Sequence, residues 1–429
     1  MKKNFFYIII IVLFSTNLLA ENLNEALLKA YNKNPKLNAE RENLNISKEN
    51  INISKSDFFP SITLSGSKSK EDTNKLTNQD GSSASIADVD PLTKSLLVEQ
   101  TLYGKSRSAD LEKNKLGLNI AEIKLLKVEQ EILYKAIEAY TGLVLANKKY
   151  SINQSNVNLL QRQVTNDQSR LERGQITIAD LAQSESSLAG AIAKFIEAKN
   201  EVVTGKIIYE NVIGSINNID ELSEDLSFNL KLPKDLIEAN EISNKNSPEL
   251  VIAKLELQQT EYDIQIAKSD LGPSATLSFE TSQVEDLSAT YDERDKNIIK
   301  ATVKWPIYTG GKNRATLNKN KNLNNQKRLL LEDTITSNKT KVASAWSNFQ
   351  SSMSMLDSVK SQVKAAEIAS EGIAAEYESG SRSTLDVIQS NSLLLDSKIS
   401  LANSERNYLL AKFNLLKSIG LLNSDYLKI

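Results

Sequence analysis

Two short stretches of this sequence have the residue types that could bind a phosphate group. Residues 104–106 (Gly-Lys-Ser) and 311–312 (Gly-Lys) each place a glycine directly before a lysine. A phosphate-binding loop has another glycine five positions before that Gly-Lys pair, because its backbone N–H groups must wrap around the phosphate. Glu99 and Pro306 occupy those positions here. The sequence therefore predicts no phosphate-binding loop.

Acid–base and metal chemistry lack their usual residues as well. The chain contains no His and no Cys, which removes the commonest general base, the commonest metal ligand and every thiolate. Paired carboxylates such as Glu371 and Glu378 lie on the predicted water-facing side of a helix, where solvation is their ordinary role. We therefore expect no catalytic residue, no metal site and no cofactor, and we expect that the protein is not an enzyme.

The composition argues against one class of partner and favours a particular architecture. Basic and acidic residues nearly balance, 52 against 54, so electrostatics gives no case for nucleic-acid binding. Only 15 Gly and 7 Pro occur in 429 residues, and this scarcity of turn-forming residues predicts long, uninterrupted elements. A hydrophobic content of 40% suits narrow coiled-coil seams better than one thick core.

Residues 1–20 have the layout of a secretory signal peptide. Two lysines precede an apolar run from Phe5 to Phe14, a polar break follows, and Ala20 offers a cleavage position. The apolar run is too short to span a bilayer, although a plain membrane anchor is the alternative interpretation. We expect this segment to direct export from the cytoplasm.

The rest of the chain repeats itself at a long period. Residues 34–65 resemble residues 247–278, and both stretches contain Ser-Asp-x-x-Pro-Ser. Three further pairs recur 206 positions apart, namely Gly174 and Gly380, Asp180 and Asp386, and Gln183 and Gln389. Duplication at this period indicates two copies of one structural unit.

The duplication predicts the domain boundaries. After the signal peptide, residues 21–214 form the first repeat and residues 246–420 form the second. Residues 215–245 form an inter-repeat linker (an equatorial segment), and residues 421–429 form a short C-terminal tail.

Each repeat has the same predicted order of elements: a helical run, a pair of strands, a long helix and a shorter helix. The first helical run covers residues 23–57 and 246–270, and Pro ends it in both repeats. The long helices cover residues 106–172 and 313–378, and the shorter ones cover 175–213 and 383–419. Each long helix would extend roughly 100 Å at 1.5 Å per residue, which predicts coiled coils.

The segment KNIIKATVKWPIY shows how the predicted strands are patterned. Its apolar face carries Ile299, Ala301, Val303, Trp305 and Ile307, and the other face carries Ile298, Lys300, Thr302 and Lys304. A strand with this alternation has one apolar and one largely wet face. We expect the polar stretches 71–93 and 285–296 to connect the paired strands.

The predicted fold class is thus mainly α with a β portion, in two tandem structural repeats. In the last helix the apolar residues step by three and four as in a heptad seam, and Arg406 is its one polar position. Gly174 and Gly380 fall between a long and a shorter helix. We expect them at the tips of antiparallel helical hairpins, where glycine permits the left-handed turn.

These features together resemble the TolC family of outer-membrane efflux channels, and the resemblance covers essentially the whole mature chain. Residues 308–312 (Tyr-Thr-Gly-Gly-Lys) are similar to the family's aromatic-x-Gly-Gly-basic turn after the fourth strand. Residues 380–387 (Gly-Ser-Arg-Ser-Thr-Leu-Asp-Val) are similar to its hairpin tip. The chain has no Cys for an N-terminal lipid, so it resembles the non-lipidated branch.

The resemblance implies a homotrimer in the cell outer membrane with a long periplasmic extension. Each protomer would give four strands to one outer-membrane β-barrel and its helices to a continuous coiled-coil tunnel. Four strands cannot close a membrane barrel, whose smallest examples have about eight, whereas three copies supply enough. The implied function is an exit duct for efflux of small molecules or type I protein secretion. The implied partners are outer-membrane lipid, a periplasmic adaptor (a membrane fusion protein) and an inner-membrane pump.

The resemblance also implies a gate at the periplasmic end of the tunnel. Tyr377, Arg382 and Asp386 of the second repeat and Asp180 of the first match the positions of the family's polar links and acidic pore ring. We expect Arg382 to pair with Asp180 of a neighbouring hairpin, with Tyr377 adding a hydrogen bond. Gln389 stands where the family has a second ring acid. Both aspartates also suit a simpler role, since an acid near a helix N-terminus complements the helix dipole.

The alternative function is that of a soluble periplasmic coiled-coil adaptor or structural protein. An adaptor would carry one hairpin and a membrane or lipid anchor. This sequence instead predicts two hairpins and four half-apolar strands, and this favours the channel.

Overall fold

The computed structural model describes residues 21–84, 88–216, 219, 222–223, 228, 230–288 and 290–429. The predicted signal peptide, residues 1–20, lies outside the described residues. The chain divides into two compact units. The first unit contains the described residues up to Asn38, those of Glu129–Ser243 and everything from Lys341 onward. The second contains Ala39–Val128 and Asn244–Thr340.

The elements confirm the predicted fold class, mainly helical with one four-stranded sheet and two repeats of the same order. The first repeat contains α1 (Leu23–Lys33), α2 (Pro35–Ser56), β1 (Ser61–Lys68), β2 (Leu92–Tyr103), α3 (Ser106–Glu172) and α4 (Ile178–Val212). The second contains α5 (Leu236–Asn246), α6 (Pro248–Ser269), β3 (Ser274–Ser288), β4 (Tyr291–Lys304), α7 (Lys312–Glu378) and α8 (Thr384–Ser418), and α9 (Ser424–Leu427) follows.

The first helical run of each repeat is two helices rather than one. The break falls at Asn34 before Pro35 and at Ser247 before Pro248, where the preceding residue has an extended backbone with ψ of 121° and 117°. A residue before proline is pushed out of the helical region, while proline itself suits the first position of the next helix. As a result, α5 occupies residues that the sequence assigned mainly to the linker.

In the second unit the four strands form one antiparallel sheet in the order β1-β2-β3-β4. Its register places apolar side chains in rows across the sheet, and one row contains Ile62, Val98, Phe279 and Ile299. The next row belongs to the other face and contains Ser61, Glu99, Ser278 and Lys300. In the half of the sheet nearest the helices, one face is therefore apolar and the other polar. β1 and β4 are the two edge strands.

The expected connector at residues 285–296 is wrong. β3 continues to Ser288 and β4 begins at Tyr291, and these two residues pair with each other. The charged residues that suggested a connector alternate along a tight hairpin. Its register shifts next to Asp286, which has a positive φ of 56° and marks a bulge.

Polar contacts hold α2 and α6 to the first parts of α3 and α7. The Ser54 hydroxyl donates to Asp110 at 2.6 Å, and Lys113 forms an ion pair with Asp263 at 2.7 Å. Lys327 contacts Glu256 at 2.7 Å in the second repeat. Side-chain hydrogen bonds and ion pairs therefore join these helices of the second unit.

The first unit has the more apolar core. Leu133, Ile137 and Tyr140 of α3 are fully buried, as are Tyr209 of α4 and Phe413 of α8. The Tyr140 hydroxyl donates to the backbone oxygen of Glu21 at 2.8 Å, which ties the beginning of the described chain to α3.

The predicted C-terminal tail also packs on α3. The backbone N–H of Ser424 donates to Glu129, and the Gln130 amide donates to the oxygen of Gly420 at 2.9 Å. Within the described residues, no helix is both long enough and apolar enough to cross a membrane.

Candidate functional site

The ends of the two helical hairpins lie in the first unit and have nearly the same backbone. Gly174 and Gly380 have φ of 69° and 81°, a left-handed conformation that residues with a Cβ rarely adopt. The residue after each glycine donates its N–H back into the long helix, Gln175 to Arg170 and Ser381 to Glu376, both at 2.9 Å. Each long helix therefore ends in a glycine-dependent turn.

The shorter helix of each hairpin starts with a capping box. In α4 the Thr177 N–H donates to the Asp180 carboxylate at 2.9 Å, and the Asp180 N–H donates to the Thr177 hydroxyl at 3.3 Å. Ser383 and Asp386 form the same pair at the start of α8, at 3.0 and 3.2 Å. These reciprocal bonds satisfy backbone donors that a helix start leaves open.

The caps keep both aspartates ionised. The Thr177 N–H and hydroxyl hold the pKa of Asp180 below its ordinary value, because they donate to its charged form. The Ser383 N–H and hydroxyl do the same for the pKa of Asp386, with a smaller contribution from Arg382. The structure thus supports the simpler role of Asp180 and Asp386, that of an acid at a helix N-terminus.

A buried carboxylate joins the two hairpins just above their tips. Asp167 of α3 has no exposed surface, and three side chains donate to it. The Ser184 hydroxyl of α4 donates at 2.5 Å, the Tyr377 hydroxyl of α7 at 2.6 Å and the Gln163 amide at 3.1 Å. A buried carboxylate needs such donors, because burial of an unpaired charge is costly. The acid therefore bonds to its own hairpin and to the second one.

Tyr377 is the residue of the second hairpin in this link. Its side chain is buried, and the guanidinium of Arg170 lies 4.3 Å from the centre of its ring. Its oxygen also lies 3.3 Å from the hydroxyl of the buried Thr384. Burial, together with the hydrogen bond to Asp167, raises the pKa of the Tyr377 phenol. The hydroxyl therefore stays protonated and remains a donor at neutral pH.

The other predicted gate residues lie on the outside of the tips. Arg382 forms an ion pair with Glu376 of its own hairpin at 2.6 Å, and both side chains are about half exposed. This hydrogen bond raises the pKa of Arg382 further above its already high value. Gln389 is exposed on α8. The structure brings Tyr377 into the link with Asp167. Asp180 and Asp386 instead cap helices. The pairing of Arg382 with Asp180 of a neighbouring hairpin stays a prediction.

The sequence reasoning missed Asp167, although the sequence contains a signal for it. Ala146, Asn153, Leu160 and Asp167 follow one another at seven-residue intervals along α3, and all four are buried. An acid at a position of the heptad seam is costly unless donors surround it. A search for charged residues at seam positions would have identified Asp167 as a residue with a partner on another helix.

This arrangement joins helices of two hairpins through one buried carboxylate. Within the residues that the structure describes, no cluster of three or more metal-ligating side chains occurs. The site is a polar lock between hairpins.

A family-level comparison matches most of the chain. The sequence model described as "Outer membrane efflux protein" matches residues 26–208 and 241–421, once in each repeat. The gap between the two matches, residues 209–240, overlaps most of the inter-repeat segment.

Individual proteins are similar over nearly the same length. The outer membrane efflux protein BepC of Brucella suis biovar 1 (strain 1330) is 27% identical over 95% of this chain and 87% of its own length. The outer membrane protein TolC of Escherichia coli (strain K12) is 23% identical over 96% of this chain and 85% of its own. The alkaline protease secretion protein AprF of Pseudomonas aeruginosa is 20% identical over 80% and 72%.

Solved structures share the fold. The chain is similar to a crystal structure of CusC with a TM-score of 0.78 and 18% identity, covering 93% of this chain and 92% of that one. It is similar to the open state of the MtrE outer membrane channel of Neisseria gonorrhoeae with a TM-score of 0.77 and 17% identity, covering 94% and 89%.

Proposed function

The chain belongs to the outer membrane efflux protein family, and we propose that three copies of it form the exit duct of an export machine. It is an outer-membrane export protein of a channel family, so transport rather than catalysis is its function. An inner-membrane pump would supply the energy, and a periplasmic adaptor would join the pump to the hairpin tips. The relatives are named for efflux (BepC) and for protease secretion (AprF), and both cargo classes are therefore carried into the proposal.

The observation that carries the proposal is the sheet of the second unit. Near the helices one face carries apolar rows such as Ile62, Val98, Phe279 and Ile299, whereas toward the β3–β4 turn the rows of that face become polar. Large apolar side chains on this face are exposed, with Ile62 69%, Leu64 81% and Ile299 77% accessible in the single chain. β1 and β4 have free edges, whose N–H and C=O groups cannot be left unpaired in lipid. Joining the sheets of three copies edge to edge pairs these groups and leaves the apolar face toward lipid.

Residues at one end of the sheet support a membrane boundary there. Phe59, Trp305 and Tyr308 are 68%, 63% and 85% exposed, and the indole N–H of Trp305 donates to the oxygen of Leu271 at 3.1 Å. Trp and Tyr concentrate at membrane–water interfaces, because an apolar ring with a polar edge suits both phases. The predicted lipid contact of Val303 and Trp305, with Lys300 and Lys304 on the water side, belongs to this proposal.

The lock between the hairpins is proposed as the gate. Tyr377 and Asp167 hold the second hairpin against the first at the end where both tips lie. Opening the duct requires these helices to separate, and the bond then has to break. An adaptor that binds the separated arrangement more tightly shifts the population toward it.

An adaptor role fits this chain less well than a duct role. The chain has two complete hairpins, α3–α4 and α7–α8, and a sheet with an apolar face. A soluble coiled-coil adaptor has no use for that face.

The first test of the proposal is the mass of the detergent-extracted protein. A trimer is expected. A monomer that stays in solution without detergent would overturn the duct.

The second test addresses the gate. Tyr377→Phe removes one hydrogen bond to a buried carboxylate, worth about 1.5 kcal/mol, and should raise the open-to-closed ratio about tenfold. Single-channel conductance in planar bilayers measures this change. Tyr408→Phe is the matched control, because its ring stacks on Phe349 away from the lock. Equal conductance of both variants would place the gate elsewhere.

The third test addresses the faces of β4. The chain has no native Cys, so single replacements can be labelled one at a time. We expect a charged thiol reagent to label Lys304→Cys in membranes and to leave Val303→Cys unlabelled. The reverse pattern would invert the assigned faces.

A further inference from the structure

A cavity of about 560 Å³ lies among α3, α4 and α8 in the first unit. The buried Ala139 and Ala146 of α3 form its floor, and Ile208 of α4, which is 51% exposed, lies at its rim. Its walls are mainly apolar. Along α3, Ala146 lies roughly 32 Å from Asp167, so the cavity is separate from the link near the tips. Cavities of this size, with apolar walls and a few polar groups, are the usual sites of small-molecule binding.

Two glycines inside helices keep this space open. Gly142 of α3 and Gly205 of α4 both line the cavity. A Cβ on Gly205 would lie 3.3 Å from the side chain of Leu143, so the two helices approach closely at that point. A Cβ on Gly142 would lie 3.7 Å from a guanidinium nitrogen of Arg406. A long side chain at position 142 would therefore occupy the room beside the guanidinium.

Arg406 of α8 brings a positive charge into this apolar space. It is the polar position of an otherwise apolar seam, between the buried Ala402 and Leu409. Its Nη2 donates to the backbone oxygen of Glu138 at 3.4 Å, a long hydrogen bond, and its buried Nε has no hydrogen-bond partner among the described residues. The same part of the chain provides no carboxylate that forms an ion pair with Arg406. Because a guanidinium carries five N–H donors, most of them remain for another acceptor.

The charges around Arg406 leave the cavity positive. The nearby acids Glu201 and Glu405 form ion pairs with lysines of α3, at 3.1 and 2.8 Å. Lys135 and Glu138 also line the cavity, and their opposite charges balance each other. The guanidinium of Arg406 is therefore the charge that remains. A charge in an apolar cavity attracts an opposite charge more strongly than it would in water, because the local dielectric constant is lower.

We propose that this cavity binds a small organic anion with an apolar body, such as an aromatic carboxylate, and that Arg406 binds its charged group. The planar fork of a guanidinium matches the two oxygens of a carboxylate. Asn200 and Thr204 of α4 line the same cavity and carry further N–H and O–H donors. The apolar walls suit the body of the ligand, while the excess positive charge selects against neutral and cationic molecules of the same shape.

The site does not depend on the proposed trimer, because all its lining residues belong to one chain. A ligand seated there contacts three helices of the first unit at once. Since these contacts exist only in the folded arrangement, binding should raise the unfolding temperature of the first unit as the ligand concentration rises. The inference thus adds a ligand site to the export function proposed above.

Binding of 2-naphthoate to the purified full-length protein tests the site. Isothermal titration should show one 2-naphthoate bound per chain, and the neutral 2-naphthamide, which has the same ring system, should bind much more weakly. Arg406→Gln removes the charge and should weaken 2-naphthoate binding about tenfold or more. It should leave the weak binding of 2-naphthamide unchanged. Arg406→Lys keeps the charge without the fork and should lie between the two.

Filling the cavity tests the same site without changing its charge. Gly142→Leu should abolish binding of 2-naphthoate although Arg406 is present. Ile208→Trp narrows the cavity from its exposed rim and should also weaken binding, and it changes no residue of the buried floor. The matched control is Gly372→Leu, because Gly372 also lies inside a helix, has open space around it and is distant in sequence from every lining residue of α3 and α4. This control should bind 2-naphthoate like the unmodified protein.

Two results would overturn the inference. One is equal affinity of the unmodified protein and Arg406→Gln for 2-naphthoate, or equal affinity of the unmodified protein for the carboxylate and the amide. The other is a ligand-free Arg406→Gln trimer that separates at a lower temperature, together with no 2-naphthoate binding to the unmodified protein. That pattern would mean that a neighbouring copy covers the guanidinium. A monomer in detergent that still binds 2-naphthoate would overturn the duct and leave the site standing.

Discussion

The two hairpin tips share their backbone but differ in the side chains that hold them. Both have a left-handed glycine and a capping box. Ser184 and Ser390 are equivalent in the two repeats, and both are buried. Ser184 donates to Asp167, whereas the Ser390 hydroxyl has no partner among the described residues. The residue equivalent to Asp167 in the second hairpin is Ile373, which cannot accept a hydrogen bond.

The first residues of the two shorter helices also differ in type and in exposure. Thr384 begins α8 and is 2% accessible beneath Tyr377, while its equivalent Ile178 begins α4 and is 76% accessible. Tyr377 itself corresponds to Leu171 of the first repeat. The two hairpins therefore share a backbone, but the first contributes the acceptor Asp167 and the second the donor Tyr377 of a single link.

The largest expected difference between the tips concerns the two serines. Ser184→Ala removes a hydrogen bond to a buried carboxylate and should lower the free energy of opening at the first tip by about 2 kcal/mol. Ser390→Ala removes an unpartnered buried hydroxyl and should be neutral or slightly stabilising. Hydrogen exchange of peptides from the starts of α4 and α8 measures both. Equal losses would mean that Ser390 has a partner in the assembled protein.

Replacing the tip glycines should lower the free energy of unfolding by a smaller amount, equal at both tips. Gly174→Ala and Gly380→Ala force a Cβ into a left-handed turn, at a cost of about 1 kcal/mol each. Gly190→Ala is the control, because Gly190 lies inside α4 with no positive φ and with open space where the added methyl group would lie. That change should instead stabilise by up to about 1 kcal/mol. Thermal unfolding measures the stability of all three variants. A Gly174→Ala variant as stable as the unmodified protein would contradict the left-handed conformation of this turn.

The capping boxes predict how the tips respond to acid. The pKa values of Asp180 and Asp386 are lowered in the fold, so their contribution is complete above the ordinary aspartate value of about 3.9. It is lost as the pH falls through the lower folded values. A dye on Gln175→Cys or Ser381→Cys should therefore gain mobility only below about pH 4. Asp180→Asn should remove this pH response at the first tip and leave it at the second.

The smallest expected effect belongs to Arg382. It is exposed and already paired with Glu376, so a further pairing with Asp180 of a neighbouring hairpin can bias the gate only weakly. Arg382→Ser should raise conductance by a smaller factor than Tyr377→Phe, and Asp180→Ala should not add fully to it. Asp386→Asn should change ion selectivity more than opening. Arg382→Ser channels that conduct like the unmodified protein would exclude this residue from the gate.

Features that depend on nearby residues could be predicted from the sequence. α3 begins at Ser106 and ends at Glu172 as predicted, because the length of a helix depends on the local sequence and on the glycine that stops it. The alternation that placed Val303 opposite Lys304 appears in the rows of the sheet. Prediction failed at residues 285–296, where charge density suggested a connector although the backbone forms strands.

Features that depend on distant residues were settled by the tertiary structure. The sequence identified Tyr377 but not its acceptor, because Asp167 is 210 residues away and no local pattern links the two. The order of nearby residues determines where helices start and end, because caps and turns involve backbone groups only a few residues apart. Which faces and charges meet depends on the geometry of the assembled helices, where burial makes an unpaired group costly and so selects its partner.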